Sequence, residues 1–269
     1  MTIFNLAKNT MQYSLKNNLF ESASYVAYKI LLAFFPFLLF LVSVAGLIGR
    51  SPEAIKLIEQ FYTGLPKEVV NVIEPVVSDV ITGPLKKILT FSIIGILWVS
   101  SSGIESIRRS LNRAYEYTES RNILVLRTQS IAVVILAVIS LVFVSTLTFI
   151  IPFFLHFIPL YISKNIPSFT FYWPLSFLVN ALILSVVFNF LYHWLPNHAC
   201  KPPKSWPGAF LAALLCSLFA ALFSVYLQNF GNYHALYGSL GGMIIALLFL
   251  QLSSYLVLLG AQFNKELSR

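Results

Sequence analysis

Charge is what this sequence has least of. Only 10% of its 269 residues are Asp, Glu, Lys or Arg, against roughly a quarter in an average soluble domain, too few to clothe an ordinary water-facing surface. Aspartate occurs once, at Asp79, and half of the ten acidic residues fall between Glu53 and Asp79, whereas two-metal hydrolysis needs carboxylates clustered on one side. Two cysteines, Cys200 in a short polar stretch and Cys216 in an apolar run, make no disulfide framework. No P-loop, dinucleotide fingerprint or HExxH zinc motif is present, and no internal repeat or low-complexity segment stands out, so an inverted three-plus-three arrangement is unsupported. The N-terminus (MTIFNLAKNTMQYSLKNN) has no compact apolar region followed by a small-residue cleavage site, so no removable signal is expected.

What the chain has in abundance is apolar length. Hydrophobic residues make up 58% and aromatics 15%. The stretch from Tyr237 to Asn264 opens on Gly238, Gly241 and Gly242, runs for about six turns of mostly Leu, Ile, Phe and Ala, and meets no charge before Lys265, which is the pattern of a membrane-spanning helix. Its polar residues, among them Gln251, Ser253, Ser254 and Gln262, are expected to face protein or a water-filled cavity. Each crossing needs ~20 residues for ~30 Å of hydrocarbon. The expected fold is therefore all-α, one polytopic membrane domain over 1–269, with about six transmembrane helices near 25–48, 88–104, 128–152, 174–195, 207–227 and 237–264, plus interfacial amphipathic helices.

The connections set the expected orientation. Residues 1–22 place Phe4, Ala7, Met11, Leu15 and Leu19 on one stripe, as in an interfacial helix. The first span carries Lys29 near its beginning and Pro36 among Phe34, Phe35 and Phe37, where the missing backbone donor is expected to kink it. Residues 49–87 balance five basic against five acidic side chains, and Val69, Val72, Ile73, Val76, Val77 and Val80 recur at helical spacing, the mark of short surface helices. Residues 105–127 hold five arginines against three glutamates, and residues 196–206 (PNHACKPPKSW) two lysines. Putting both on the inner side with the two termini leaves twelve Lys and Arg inside and six outside, in keeping with the positive-inside tendency. The +8 net charge then reflects topology and contact with anionic headgroups on the cytoplasmic face rather than nucleic acid. Residues 108–127 in any case interleave only Tyr115 and Tyr117 as stacking platforms.

Among chemically capable residues, a lysine inside an apolar span is costly unless it snorkels or pairs. Lys29 can reach headgroup phosphate or meet Glu105 at a similar expected depth. Glu105 also has Arg108 and Arg109 three and four residues along the same helix face. His193, His198 and Cys200 match no trusted metal spacing, so neither a metal nor any other cofactor is expected. Asn180, Asn189, Gln251, Ser253 and Gln262 suit hydrogen bonds to neighbouring helices. The small residues Ser100 to Gly103 and the glycines after Tyr237 suit close helix packing.

Several stretches taken together resemble the YihY/BrkB family, long labelled ribonuclease BN-like. They are Ala23-Ser24-Tyr25-Val26-Ala27-Tyr28 with Phe35-Pro36, Trp98 to Gly103 followed by Leu111-Asn112-Arg113-Ala114-Tyr115, and Leu191-Tyr192-His193-Trp194-Leu195-Pro196. Pro207-Gly208, Tyr226, Tyr237-Gly238-Ser239-Leu240-Gly241-Gly242 and Gly260-Ala261-Gln262-Phe263-Asn264 complete the pattern. The resemblance implies a six-span bacterial inner-membrane protein with both termini cytoplasmic, and it marks Asn112, Tyr115, His193, Tyr237, Gly238, Gln262 and Asn264 beside Lys29, Pro36 and Glu105 as candidates for a substrate path. Gln262 stands where a glutamate is expected of the family, and Ala33 where a serine is common. The reading favoured is a non-enzymatic envelope protein that moves, or helps to move, a lipid or other amphiphile. The alternatives are a membrane-associated ribonuclease acting through 108–127, and a scaffold using its outer segment to engage an envelope partner or a second copy of itself.

Overall fold

In hydrocarbon every backbone N–H and C=O needs a partner within the protein, and a continuous helix supplies one locally for each. The apolar runs are helical accordingly. The computed structural model describes residues 3–48, 89–156, 172–197, 204–229 and 239–268, and among these every regular element is an α-helix. In chain order they are α1 (Ile3–Lys16), α2 (Leu19–Ile48), α3 (Leu89–Tyr115), α4 (Ile123–His156), α5 (Tyr172–Trp194), α6 (Trp206–Asn229) and α7 (Ser239–Leu267). Among the described residues three stretches are long and apolar enough to cross a membrane, Ile123–Ser140, Trp206–Leu227 and Gly241–Leu267, and Asn180–Trp194 is a shorter apolar run. The expected outer connection over 49–87, the loop near 157–171, His198, Cys200, Tyr237 and Gly238 lie outside the described residues.

Several expected boundaries are corrected by individual side chains. The helix expected over 1–22 ends at Lys16, and the helix that contains the expected first span begins at Leu19. Asn18, with φ of 49°, adopts the left-handed conformation that asparagine tolerates well. Its N–H closes α1 on the Leu15 carbonyl, and its own carbonyl accepts the first bond of α2 from the Ser22 N–H at 3.1 Å. One asparagine thus ends one helix and begins the next. On α1 the buried face is Leu6, Thr10 and Ser14, whereas Met11 and Leu15 are 51% and 67% exposed. That edge is left for lipid, as an interfacial helix requires.

The helix that contains the expected second span runs on past Ile104 to Tyr115, so Arg108, Arg109 and Arg113 belong to a helix and only 116–122 is a true connection. Glu105 pairs with Arg109 one turn on, and Ser106, Ser110, Leu111 and Ala114 keep a buried stripe running to the end. The α2 helix passes through Pro36 with helix on both sides.

The chain divides into two compact units. One comprises Met1–Ile30, Glu105–Leu126 and Ile166–Arg269. Its core is rich in alanine, with Ala23, Ala27, Ala114, Ala209, Ala212, Ala213 and Ala261 essentially inaccessible beside Leu19, Leu111, Tyr192 and Leu258. Small side chains let helix backbones approach where lipid supplies no hydrophobic drive between helices. The other unit comprises Leu31–Ile104 and Arg127–Asn165. There Val134 and Val138, one turn apart on α4, pack with Phe37, Leu97 and Ile104. The Arg127 guanidinium lies 3.9 Å from the centre of the Trp98 ring and donates to the Trp98 carbonyl at 2.6 Å, a cation–π contact reinforced by a charged hydrogen bond.

Candidate functional site

The first N–H groups of a helix have no partner within it. In α6 the second helical residue is Pro207, which has no N–H to satisfy, and the third is Gly208. The usual cap would be the hydroxyl of Ser205, whose carbonyl accepts the Ala209 N–H. That hydroxyl turns instead to Asn189 Oδ1 on α5 at 2.5 Å. The cap comes from another helix: Asn264 on α7 accepts the Gly208 N–H through Oδ1 at 2.6 Å and donates through Nδ2 to the Ser205 carbonyl at 2.9 Å. The same Nδ2 lies 3.4 Å from the Tyr115 hydroxyl. Burial raises the pKa of that phenol, with the Asn264 hydrogen bond acting in the opposite sense, so Tyr115 is neutral at physiological pH. Gly208 and Gly260 make room for this contact, because a Cβ on Gly260 would lie 2.5 Å from the Gly208 carbonyl oxygen and 2.7 Å from the Tyr192 hydroxyl.

A second knot joins two connections. Asn112 on α3 accepts the Asn197 N–H at 2.9 Å and donates to Glu119 at 2.9 Å. Asn197 in turn donates to the Thr118 carbonyl at 2.7 Å and to the Ser120 hydroxyl at 3.0 Å. Arg121 grips Glu119 and donates to the Leu195 carbonyl at 2.9 Å, taking up an acceptor left free where α5 ends. Arg108, 3% exposed, donates to the Leu126 carbonyl at 3.1 Å and approaches Glu119 at 3.7 Å. At the end of α3 the Tyr117 N–H reaches the Asn112 carbonyl and the Glu116 N–H the Arg113 carbonyl, a Schellman closure in which glycine is the favoured left-handed residue. Glu116 occupies it with φ of 57°, and its carboxylate is held by Lys265 at 2.6 Å and Asn17 at 3.2 Å.

Glu119 gives this knot a pH dependence. Partial burial pushes its pKa up, but the hydrogen bonds and charge of Arg121, with the Asn112 amide, bring it below the ordinary 4.5. A carboxylate with a lowered folded-state pKa stabilises the fold fully above its unfolded value, and the contribution disappears as pH falls through the folded value. Protection of the amides in residues 116–122, taken relative to their intrinsic exchange rates, is therefore expected to be high at pH 6 and to fall below about pH 4.5, with Glu119→Gln already poorly protected at pH 6. Unchanged protection in that variant would remove Glu119 from the knot.

Of the residues singled out by sequence, Asn112, Tyr115 and Asn264 meet in these contacts. Glu105 is engaged within its own helix by Arg109 and Arg108, and Lys29 lies over the Tyr25 ring at 5.8 Å. The expected Lys29–Glu105 pair thus gives way to the local partners three and four residues away. His193 is exposed. Gln262 is 0% exposed and donates to Glu266, itself 2% exposed, at 3.1 Å, while its buried Oε1 finds no hydrogen-bond partner among the described residues. Among the described residues no three of His, Cys, Asp and Glu are grouped to hold a metal ion. Asn197, Ser205, Glu119 and Arg121 were not singled out by sequence, since single polar residues in connections carry no periodic signal.

Two spaces open in the same unit. Glu21, Ser22 and Tyr25 on α2 and Arg109, Ser110 and Arg113 on α3 line a polar cleft of about 370 Å³. Arg113 is exposed and donates to the neutral Ser22 hydroxyl at 3.2 Å. A second cavity, about 340 Å³ and almost wholly apolar, lies among α2, α3, α5, α6 and α7.

Comparison with known proteins adds relatives to this geometry. The family model described as virulence factor BrkB matches residues 10–269. A ribonuclease-like protein, YfkH, of Bacillus subtilis (strain 168) is 31% identical over 263 residues, covering 96% of this chain and 93% of its own length. A UPF0761 membrane protein of Aggregatibacter aphrophilus (strain NJ8700) is 26% identical over 92% of this chain and 86% of its own. Another, of Haemophilus influenzae (strain 86-028NP), is 25% identical over 94% and 91%. No solved structure matches.

Proposed function

This chain belongs to the virulence factor BrkB family, and from that premise we propose that it is a non-enzymatic membrane protein that binds an anionic amphiphile and moves it, or helps to move it, within or across the bilayer. It resides in the bacterial inner membrane, crosses about six times and keeps both termini in the cytoplasm. The observation that carries this reading is the polar cleft of α2 and α3, where Arg113 and Arg109 stand beside two serines and a tyrosine. An arginine fork matches phosphate oxygens in pairs, and hydroxyls supply further donors to a headgroup. Glu21 and Glu105 moderate the charge, so the cleft favours a single phosphate over a polyanion.

A ribonuclease suits this arrangement poorly. Three of the five arginines in 108–127 are committed internally, Arg108 to Leu126 and Glu119, Arg121 to Glu119 and Leu195, Arg127 to Trp98, which leaves Arg109 and Arg113 at the cleft as too small a basic surface for an RNA strand. The word ribonuclease in a relative's name describes that relative.

In liposomes the purified chain is expected to accelerate transfer of fluorescent phosphatidylglycerol between leaflets, followed by dithionite quenching. Losing a charged hydrogen bond is worth ~1.5–3 kcal/mol, so Arg113→Gln should lower the rate by about tenfold or more. Equal rates in wild type and variant would take the cleft out of the mechanism.

A further inference from the structure

The second cavity is unlike the first. Val26 and Leu258 on its wall are buried, whereas Ala220 on α6 is exposed. The space is therefore deepest at Val26 and Leu258 and opens beside Ala220 on α6. Phe188 and Phe249 form its sides. The few polar groups are turned onto the wall, with the Cys216 thiol directed to the Ser253 carbonyl at 3.9 Å. A buried water needs two to four polar partners, and a space lined by apolar side chains stays dry; an engineered apolar cavity of ~150 Å³ takes up benzene instead. This one, at about 340 Å³, is more than twice that size. The helix that bears its mouth is long and apolar enough to cross a membrane, so the medium around it is hydrocarbon chains.

We propose that this cavity holds one acyl chain of a membrane phospholipid, admitted sideways past Ala220. The assignment rests on the amphiphile reading above and deepens it: the cleft answers to a headgroup, and the cavity answers to a tail. Aromatic rings along the sides and an almost wholly apolar lining suit an unbranched chain better than a peptide, whose backbone amides would find no partners there.

The test is native mass spectrometry of the full-length protein extracted from its membrane in mild detergent. Wild type should carry one phospholipid, and Ala220→Phe, which blocks the mouth, and Cys216→Phe, which fills the interior, should each lower the lipid-bound fraction by about tenfold. Circular dichroism and elution volume check that the variants fold. Equal retention in folded variants overturns the assignment, and so does a wild type whose bound mass is detergent alone or free fatty acid. A second measurement needs no variant: phosphatidylglycerol with a diazirine near its chain end should label peptides containing Phe188, Cys216 or Phe249. Labelling confined to the exposed Leu182 and Leu222 overturns the assignment. Neither readout requires transfer between leaflets, so a chain that holds lipid and moves none leaves the cavity assignment standing and sinks the proposed movement.

Discussion

Replacing Gly260 with leucine is expected to prevent the unit built on α5, α6 and α7 from folding, and even alanine there should be felt. The Cβ of alanine would sit 2.5 Å from the Gly208 carbonyl oxygen, a backbone atom that cannot swing away, and 2.7 Å from the Ala212 Cβ. Overpacking of a tight contact costs ~1–3 kcal/mol and sometimes more. Gly260→Ala should fall near the upper end, since two helix backbones would have to separate, and Gly260→Leu beyond it. Thermal unfolding in detergent reads the first as a clear drop in Tm, and size-exclusion chromatography reads the second as aggregation. A glycine-to-alanine variant with wild-type Tm would mean that the helices do not touch here. Gly242, where nothing lies within 4 Å of an added Cβ, is the matched control and should accept alanine without loss.

The second large effect is expected at Asn264. Its side chain serves the Gly208 N–H, the Ser205 carbonyl and the Tyr115 hydroxyl at once, and all of these groups are buried. Alanine removes the partner and leaves the groups behind, at ~1–3 kcal/mol for each buried group left unsatisfied, so about 3 kcal/mol or more in sum. Helix capping lost at the same time explains where the damage should appear. Hydrogen exchange is expected to rise first at residues 206–209, with the α4 core around Val134 and Val138 unchanged. A uniform rise across the chain would show that Asn264 supports global stability rather than the start of α6.

The spans were legible because hydrocarbon burial sums over ~20 residues, so no single side chain decides whether a run is helical and apolar. The ends were not legible, since each is decided by one or two contacts. Asn18 divides a stretch whose apolar periodicity runs on from Met11 to Leu19 without a break. The Glu105–Arg109 pair carries α3 past the point where apolar residues give out. Asn264 lies 149 positions beyond Tyr115, and only the family resemblance could group it with Asn112 and Tyr115; what they do is set by contacts that no sequence spacing shows. They hold helix ends together, a structural task, and the open polar cleft is formed by neighbouring residues of the same segments. For Glu105 the sequence offered both Lys29 at a similar expected depth and Arg108 and Arg109 on its own helix, and the local partners are the ones it engages.

The clamp on α6 also says something about when this protein can finish forming. Gly208 receives its cap from Asn264, Ser14 meets the Tyr255 hydroxyl at 3.1 Å, and Gln251 donates to Ser24 at 2.8 Å. Each of these bonds requires a residue between Gln251 and Asn264, and two of them reach back to the first twenty-five positions. Polypeptide emerges at about 5–20 residues per second, so the opening helices wait on the order of 10–50 seconds before the partners that complete them exist. Throughout that interval Ser14 and Ser24 lack these late partners, whereas the arginines of α3 already have theirs in Ser22, Glu105, Glu119 and Leu126. Until Asn264 is made, the Gly208 N–H and the Ser205 carbonyl at the start of α6 lack the partner that closes them.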